Sequence, residues 1–199
     1  MSPRPDVSEK RKSQIIEAAT TVFAKSGFGK TRMEDIAEES GLSKGALYLY
    51  FKSKEDLFRG ILDNFFHREF KAIIQLAGDE RKTSREKMMM ISEVIILDLE
   101  KMKFAMPIFF EFWSMSFRKK AVRKIFQQYM ENYVDLVVPI VQDGIDRGKF
   151  RHGDAYDISM AFGSLIEGSL VVWSYDPENV DLRTLVNKNS KIFLDGIQN

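Results

Sequence analysis

Cysteine is absent from the chain, which excludes disulfides, thiol nucleophiles and thiolate metal sites. Histidine is scarce, with His67 and His152 the whole complement. Two imidazoles so far apart in sequence make a histidine-based metal site or nucleophilic triad hard to assemble. The expectation is no catalytic residue, no metal and no cofactor. His67, beside Arg68 and Glu69, reads as a surface or boundary residue, and His152 as a solvated turn residue. A continuous apolar run of about 18 residues, the length a membrane span needs, is also missing, although 44% of the residues are hydrophobic. The N-terminal MSPRPDVSEKRK lacks the apolar segment of a signal peptide. These absences imply a cytoplasmic location and no membrane partner. Net charge is small at +1, but it is unevenly spread. Residues 1–54 hold 10 Lys+Arg against 7 Asp+Glu, a balance of +3, leaving 20 against 22, or −2, for the rest.

What the chain does contain is helical periodicity, and its most informative stretch runs from Thr31 to Leu57. Thr31 and Glu34 have the spacing of a capping box, which starts a helix at Arg32. Met33, Ile36 and Ala37 share one face of that helix, and Ser40-Gly41 ends it. Ser43 then caps a second helix, Lys44 to about Tyr50, so close behind the first that the two must cross steeply. Gly45 and Ala46 allow close backbone approach, and Lys44, Lys52 and Lys54 flank the element with no acid between Ser43 and Lys54. Cations around an exposed helix end suit a phosphate backbone. This is the requirement of a helix-turn-helix reading element.

The other helices follow from spacing and caps. Residues 1 to about 7 read as a disordered arm, in which Arg4, together with Lys10, Arg11 and Lys12, either follows a phosphate backbone or forms a solvated basic tail. Helix one, about Glu9 to Ser26, turns Ile15, Ala18, Ala19, Val22 and Phe23 to one side. Ser53 and Asp56 open a long helix to about Ala77 with a stripe that includes Leu57, Phe58, Ile61, Leu62, Phe65, Phe66, Phe70, Ile73 and Ile74. Thr83 and Glu86 form a capping box for the next helix, to about Lys101, with Met88-Met89-Met90 as core or pocket wall. Pro107 fits only a first helical turn, so FAMPIFFEFWSMSF (104–117) starts a helix near Ala105 or Met106. Its aromatic residues point around most of the helix, which predicts burial on nearly all sides or a cavity lining. Lys119 to Asp146 follows, with a kink expected at Pro139. Asp154 and Asp157 cap a helix over about 155–174 rich in small residues, and a last helix covers about 180–197. No alternating strand pattern is present.

The run GLSKGALYLYFKSKEDLF (41–58), with SQIIEAATTVFAKSGFGKTRMEDIAEESG before it, resembles the DNA-binding signature of the TetR/AcrR family of transcriptional regulators. The resemblance covers the first quarter to third of the chain. It implies an all-α protein of about nine helices. Residues 1–53 would form a three-helix helix-turn-helix domain, and residues 54–199 a ligand-binding and dimerisation domain with 54–77 as the linking helix. On the matching positions, Thr31, Ser43, Tyr48 and Lys54 are expected at phosphates, and Arg32, Lys44, Gly45, Ala46 and Tyr50 near base edges. Leu49 replaces the tyrosine or histidine usual there, and the alternative for it is packing beneath the reading helix. Tyr48 and Tyr50 have a structural alternative as closers of the small core.

Candidate pocket residues are Phe110, Trp113, Phe117, Tyr129, Tyr133, Phe162 and Trp173, with Glu111 and Glu167 as polar contacts or plain surface residues. Ala161, Gly163, Ser164, Gly168, Leu185, Ile192 and Phe193 are the candidate dimer interface, two helices per subunit making a four-helix bundle. The expected function is a ligand-responsive regulator, a repressor that binds a palindromic double-stranded DNA operator as a homodimer and is released by a small apolar or aromatic effector. An enzyme or carrier using the aromatic cavity, or a helical oligomerisation module with a degenerate helix-turn-helix, are the alternatives. Tyr48→Ala is expected to weaken operator binding without unfolding the dimer. Unchanged affinity in a titration would remove Tyr48 from the contacts.

Overall fold

The computed structural model describes residues 5–101 and 103–199, without the side chains of residues 5, 6 and 65–69. Arg4 and the side-chain expectations for Phe65, Phe66 and His67 fall outside the described residues. Among the described residues nine α-helices follow one another: α1 (Pro5–Ser26), α2 (Met33–Glu39), α3 (Lys44–Tyr50), α4 (Lys54–Ala77), α5 (Ser84–Lys101), α6 (Met106–Ser116), α7 (Lys120–Asp146), α8 (Ala155–Tyr175) and α9 (Leu182–Ile197). A 3-10 turn, Lys103–Ala105, leads into α6. Among the described residues, strand-like pairing is limited to one isolated bridge between Phe150 and Gln198.

The chain divides into two compact units, Met1–Phe66 with Met102–Gln127, and His67–Lys101 with Gln128–Asn199. The division differs from the expected boundary at residue 53: α6 and the first turns of α7 belong with the helix-turn-helix. In this first unit Ile15, Ala19 and Phe23 of α1, Ile36 of α2, Leu47 of α3, Leu57, Phe58 and Leu62 of α4, and Phe112 of α6 are buried. Phe28 joins them, its ring 5.2 Å from Phe23 and 4.3 Å, edge-on, from Phe112. Phe112 also stacks nearly parallel on Phe58.

Helix ends account for most of the remaining geometry of this unit. α1 begins at Pro5, earlier than expected, because a first-turn proline has no amide hydrogen to leave unpaired. The arm expected over residues 1–7 is therefore helical from residue 5 onward. Gly41 takes a φ of +66°. That turn lets Leu42 N–H reach the Ala37 carbonyl and Gly41 N–H the Glu38 carbonyl, both at 3.0 Å, the paired bonds of a Schellman stop. The expected box at the start of α2 is shifted by one residue. Arg32 is the N-cap, and its amide donates to Asp35 Oδ2 at 2.7 Å. Thr31 is instead 2% exposed and donates to the Gly27 carbonyl.

The second unit is built on α5, α8 and α9 with parts of α4 and α7. Its buried residues include Ile73, Met88, Ile91, Ile96, Val137, Val141, Phe162, Val186 and Leu194. Ser92 and Ser190 share a buried hydroxyl contact at 3.0 Å between α5 and α9. The Thr83–Glu86 box forms as expected, with Glu86 Oε2 accepting from the Thr83 amide at 2.8 Å and Thr83 Oγ1 from the Glu86 amide at 3.2 Å. Asp154 caps α8 by accepting from the amides of Tyr156 and Asp157, and Asp181 caps α9 by accepting from that of Thr184. α7 continues through Pro139. α8 is long and apolar enough to cross a membrane by length and composition, but Phe162, Gly163, Ile166 and Leu170 along it are buried, as in a core helix of a folded unit.

Gly144 lies against a closely packed ring in this unit. A Cβ there would strike the ring of Phe150, which is buried, and a core of native density has no room to absorb it. Gly144→Ala is expected to lower stability by about 1–3 kcal/mol through overpacking. Chemical denaturation against the wild type checks this, and an unchanged midpoint would mean the ring moves aside freely.

Candidate DNA-reading element and effector region

α3 is held in place by few groups. Its N-cap Ser43 accepts from the Ala46 amide at 3.2 Å, and Leu47 is its one buried residue. Phe51, just past its end, is buried, and a Cβ on Gly60 would come within 2.8 Å of that ring. α4 can therefore lie close to the end of α3 only because residue 60 is glycine. Lys44 forms an ion pair with Glu34 of α2, and the hydrogen bond between them raises the ammonium pKa and lowers the carboxyl pKa. Both side chains are more than half exposed, so the pair is weak in water and gives way readily to a stronger anion. Gly45 is exposed, and Ala46, Tyr48 and Tyr50 are half-buried around the buried Leu47. Leu49 is 75% exposed, which corrects the alternative that it packs beneath the helix. Apolarity alone suggests core, but the 100° step of a helix carries this residue to the side opposite Leu47.

Two further expected phosphate contacts are engaged inside the protein. The buried Thr31 holds the turn after Gly27, so it leaves the set of DNA contacts. Lys54 donates to the carbonyls of Phe28 at 2.7 Å and Gly29 at 3.4 Å, with its ammonium 4.6 Å from the Phe28 ring centroid. On the amide side of the same loop, Glu111 of α6 accepts from Phe28 N–H at 2.8 Å and Gly29 N–H at 3.2 Å. Glu111 is thus neither a plain surface residue nor aimed at a ligand. Sequence reading had no signal for this contact, because a carboxylate on α6 and a loop more than eighty residues earlier share no local pattern.

Phe110 and Trp113 of α6, with Phe117 just past its end, form a ladder on its outer side, while Phe109 packs edge-on against Phe126 of α7. Phe110 lies 6.1 Å from Trp113, and Trp113 lies 6.1 Å from Phe117, centroid to centroid. Trp113 and Phe117 are exposed, Phe117 by 68%, which rules out burial on nearly all sides and leaves the other expectation, a cavity lining. Phe112 alone among these aromatics is fully buried; the ladder faces outward. The other pocket candidates belong to the second unit. Tyr129 lies 5.5 Å from Phe70, Phe162 lies 5.6 Å from Phe193, and Tyr133 and Trp173 are buried. Glu167 is exposed by area, yet desolvation pushes its carboxyl pKa upward. Among the described residues there is no cluster of His, Asp or Glu able to hold a metal ion.

On α8, Ala161, Ser164 and Gly168 are exposed at helical spacing, and the line continues through Val172 and Tyr175. On α9, Ile192 is exposed and Leu185 and Phe193 are half-buried. Gly163 is placed differently, since a Cβ there would lie 2.9 Å from the Tyr133 ring. It faces its own chain and does not belong to the exposed row. Val172 and Tyr175 escaped the sequence reading because it searched for small residues.

Glu111→Ala is expected to cost about 1–3 kcal/mol, the range for hydrogen bonds to a charged acceptor, and to speed amide exchange at Phe28 and Gly29. Glu111→Gln keeps one acceptor oxygen and should recover part of the loss. Thermal melts with hydrogen exchange test both, and unchanged exchange in Glu111→Ala would show the loop does not depend on this carboxylate.

Comparison with known proteins finds two matching regions. Residues 15–61 match the model of bacterial regulatory proteins of the tetR family, and residues 68–199 match that of the QacR-like protein C-terminal region. A fatty acid metabolism regulator protein of Bacillus subtilis is 28% identical over 195 residues, covering 94% of this chain and 95% of that protein. Among solved structures, the SmeT–triclosan complex superposes with a TM-score of 0.82 at 19% identity, covering 96% of this chain and 92% of the other. The transcriptional regulator FadR from Bacillus subtilis in complex with stearoyl-CoA gives 0.74 at 23%, covering 94% and 99%. The capped helix-turn-helix at one end and the QacR-like helices that make up the remainder together identify the chain as a member of the TetR family of transcriptional regulators.

Proposed function

We propose that the protein is a repressor that binds a palindromic operator as a homodimer and leaves it when a small, mostly apolar effector binds. The observation that carries this reading is the construction of α6. One side of the helix grips the DNA-reading unit through Phe112 and Glu111, while Phe110, Trp113 and Phe117 stand on its outer side. An effector that covers the aromatic ladder acts on the same rigid helix that holds the Phe28–Gly29 loop. Because a ligand shifts an equilibrium only through differential affinity, the effector must favour a setting of α6 in which the reading unit no longer fits its operator.

The exposed row on α8, with Ile192 of α9, supplies an apolar surface for a second copy of the chain. Such a contact is isologous and gives the two reading helices the twofold relation that a palindrome demands. An apolar effector is supported by the ladder itself and by the two structural neighbours, which were solved with triclosan and with stearoyl-CoA. Tyr48, Tyr50, Arg32, Ser43 and Lys44 are the proposed DNA contacts, and Lys54 acts through the loop it holds.

Selection of bound DNA from a random-sequence pool is expected to enrich a palindrome whose half-sites are separated by about 34–36 Å or a multiple of it. Binding to the winner should weaken steeply with salt as phosphate contacts release counterions. Triclosan or stearoyl-CoA, used as probes, should release the wild type and do so less well after Trp113→Ala. Enrichment of an asymmetric site would overturn the dimer on a palindrome, and indifference to both probes would overturn the apolar effector.

A further inference from the structure

The outward face of the reading helix has little polarity at its centre. Leu47 is fully buried, and at about 100° per residue Gly45 and Leu49 fall on the opposite line of the helix. Nothing lies within 4 Å of a Cβ built on Gly45, and Leu49 is 75% exposed. The middle of this face is therefore bare backbone next to an isobutyl group, with the Ala46 methyl beside them. It has no side-chain donor or acceptor, and Lys44, Tyr48 and Tyr50 stand at its margins.

A surface of this kind does not read a base edge through side-chain hydrogen bonds. In the major groove the one apolar feature among the four bases is the C5-methyl group of thymine. Pressing leucine against that methyl removes both from water, a gain proportional to the area covered. The same leucine set against a cytosine N4 amine would leave a desolvated donor without a partner. Attraction and rejection then act at one position, which is how a binding surface becomes selective. The bare backbone at Gly45 lets the helix come near enough for a short side chain to reach the groove floor.

We propose that Leu49 is a specificity residue that selects thymine at a fixed position in each half-site through contact with its C5-methyl group. The proposal rests on the DNA-reading function of α3 given above. Hydrogen-bonded readout belongs to the residues at the margins, and Leu49 contributes discrimination through shape and hydrophobicity.

The test uses the full-length protein and the operator recovered by pool selection, with each thymine of one half-site replaced singly by deoxyuridine, which lacks only the methyl group. The wild type should lose about fourfold in affinity at one or two positions, the factor expected for one buried methyl. Leu49→Ala should bind the parent operator more weakly and show no further loss at those positions, while keeping the wild-type melting temperature because the side chain makes no core contact. A wild type indifferent to every replacement would overturn the proposal, as would a Leu49→Ala protein that retains the same penalty at the same thymines. Failure of the wild type to enrich any sequence would overturn the DNA-reading function instead, so the two failures are distinguishable.

Discussion

Everything in the first unit depends on the short connection between α1 and α2, where Phe28 is held from three directions. Its amide donates to Glu111, its carbonyl accepts from Lys54, and its ring meets Phe23 and Phe112. A negative group on the donor side and a positive group on the acceptor side of one residue follow the polarity of the backbone, so each bond is charge-assisted. Two helices that are not neighbours in sequence, α4 and α6, are thereby fastened to the same loop. The turn into α2 inherits its position from that loop through Thr31, and α3 inherits its position from α2 through the stop at Gly41.

That dependence explains why Lys54 and Thr31 look like surface residues of a DNA-binding face when read from sequence and behave differently in the folded chain. A lysine near a helix-turn-helix suggests a phosphate partner, and a threonine three residues before a glutamate suggests a cap. Both suggestions rest on local spacing. For Lys54 the competing partners are carbonyls of a loop 25 and 26 residues earlier, about which spacing carries no information, whereas Thr31 turns back to the Gly27 carbonyl only four residues before it. Most capping and stop signals whose partners lie within a few residues were legible: Ser43, Gly41, Thr83 with Glu86, and Asp154 act where their spacing placed them, while the box expected at Thr31 and Glu34 forms one residue on, at Arg32 and Asp35.

Periodicity located the helices of the described residues and most of their inward faces, because burial of an apolar stripe is the main source of helix stability in a folded protein. For α6 it left burial on nearly all sides and a cavity lining both open, and the folded helix divides into a gripping side and an outward ladder along a line set by Glu111 and Phe112, whose partner is remote. Gly163 was misread for a related reason. A small residue in a helix signals close approach by something, and only the folded chain identifies that neighbour as Tyr133.

The reading helix gives up just one of its seven residues, Leu47, to the interior. Its exposed positions, Lys44, Gly45 and Leu49, can change with little effect on folding, since surface substitutions usually alter stability by only about half a kcal/mol. A lineage can therefore acquire new target genes by drifting along these outer positions while the supporting scaffold stays under a separate and stricter selection. The architecture divides heredity into a part that must be kept and a part that is free to explore.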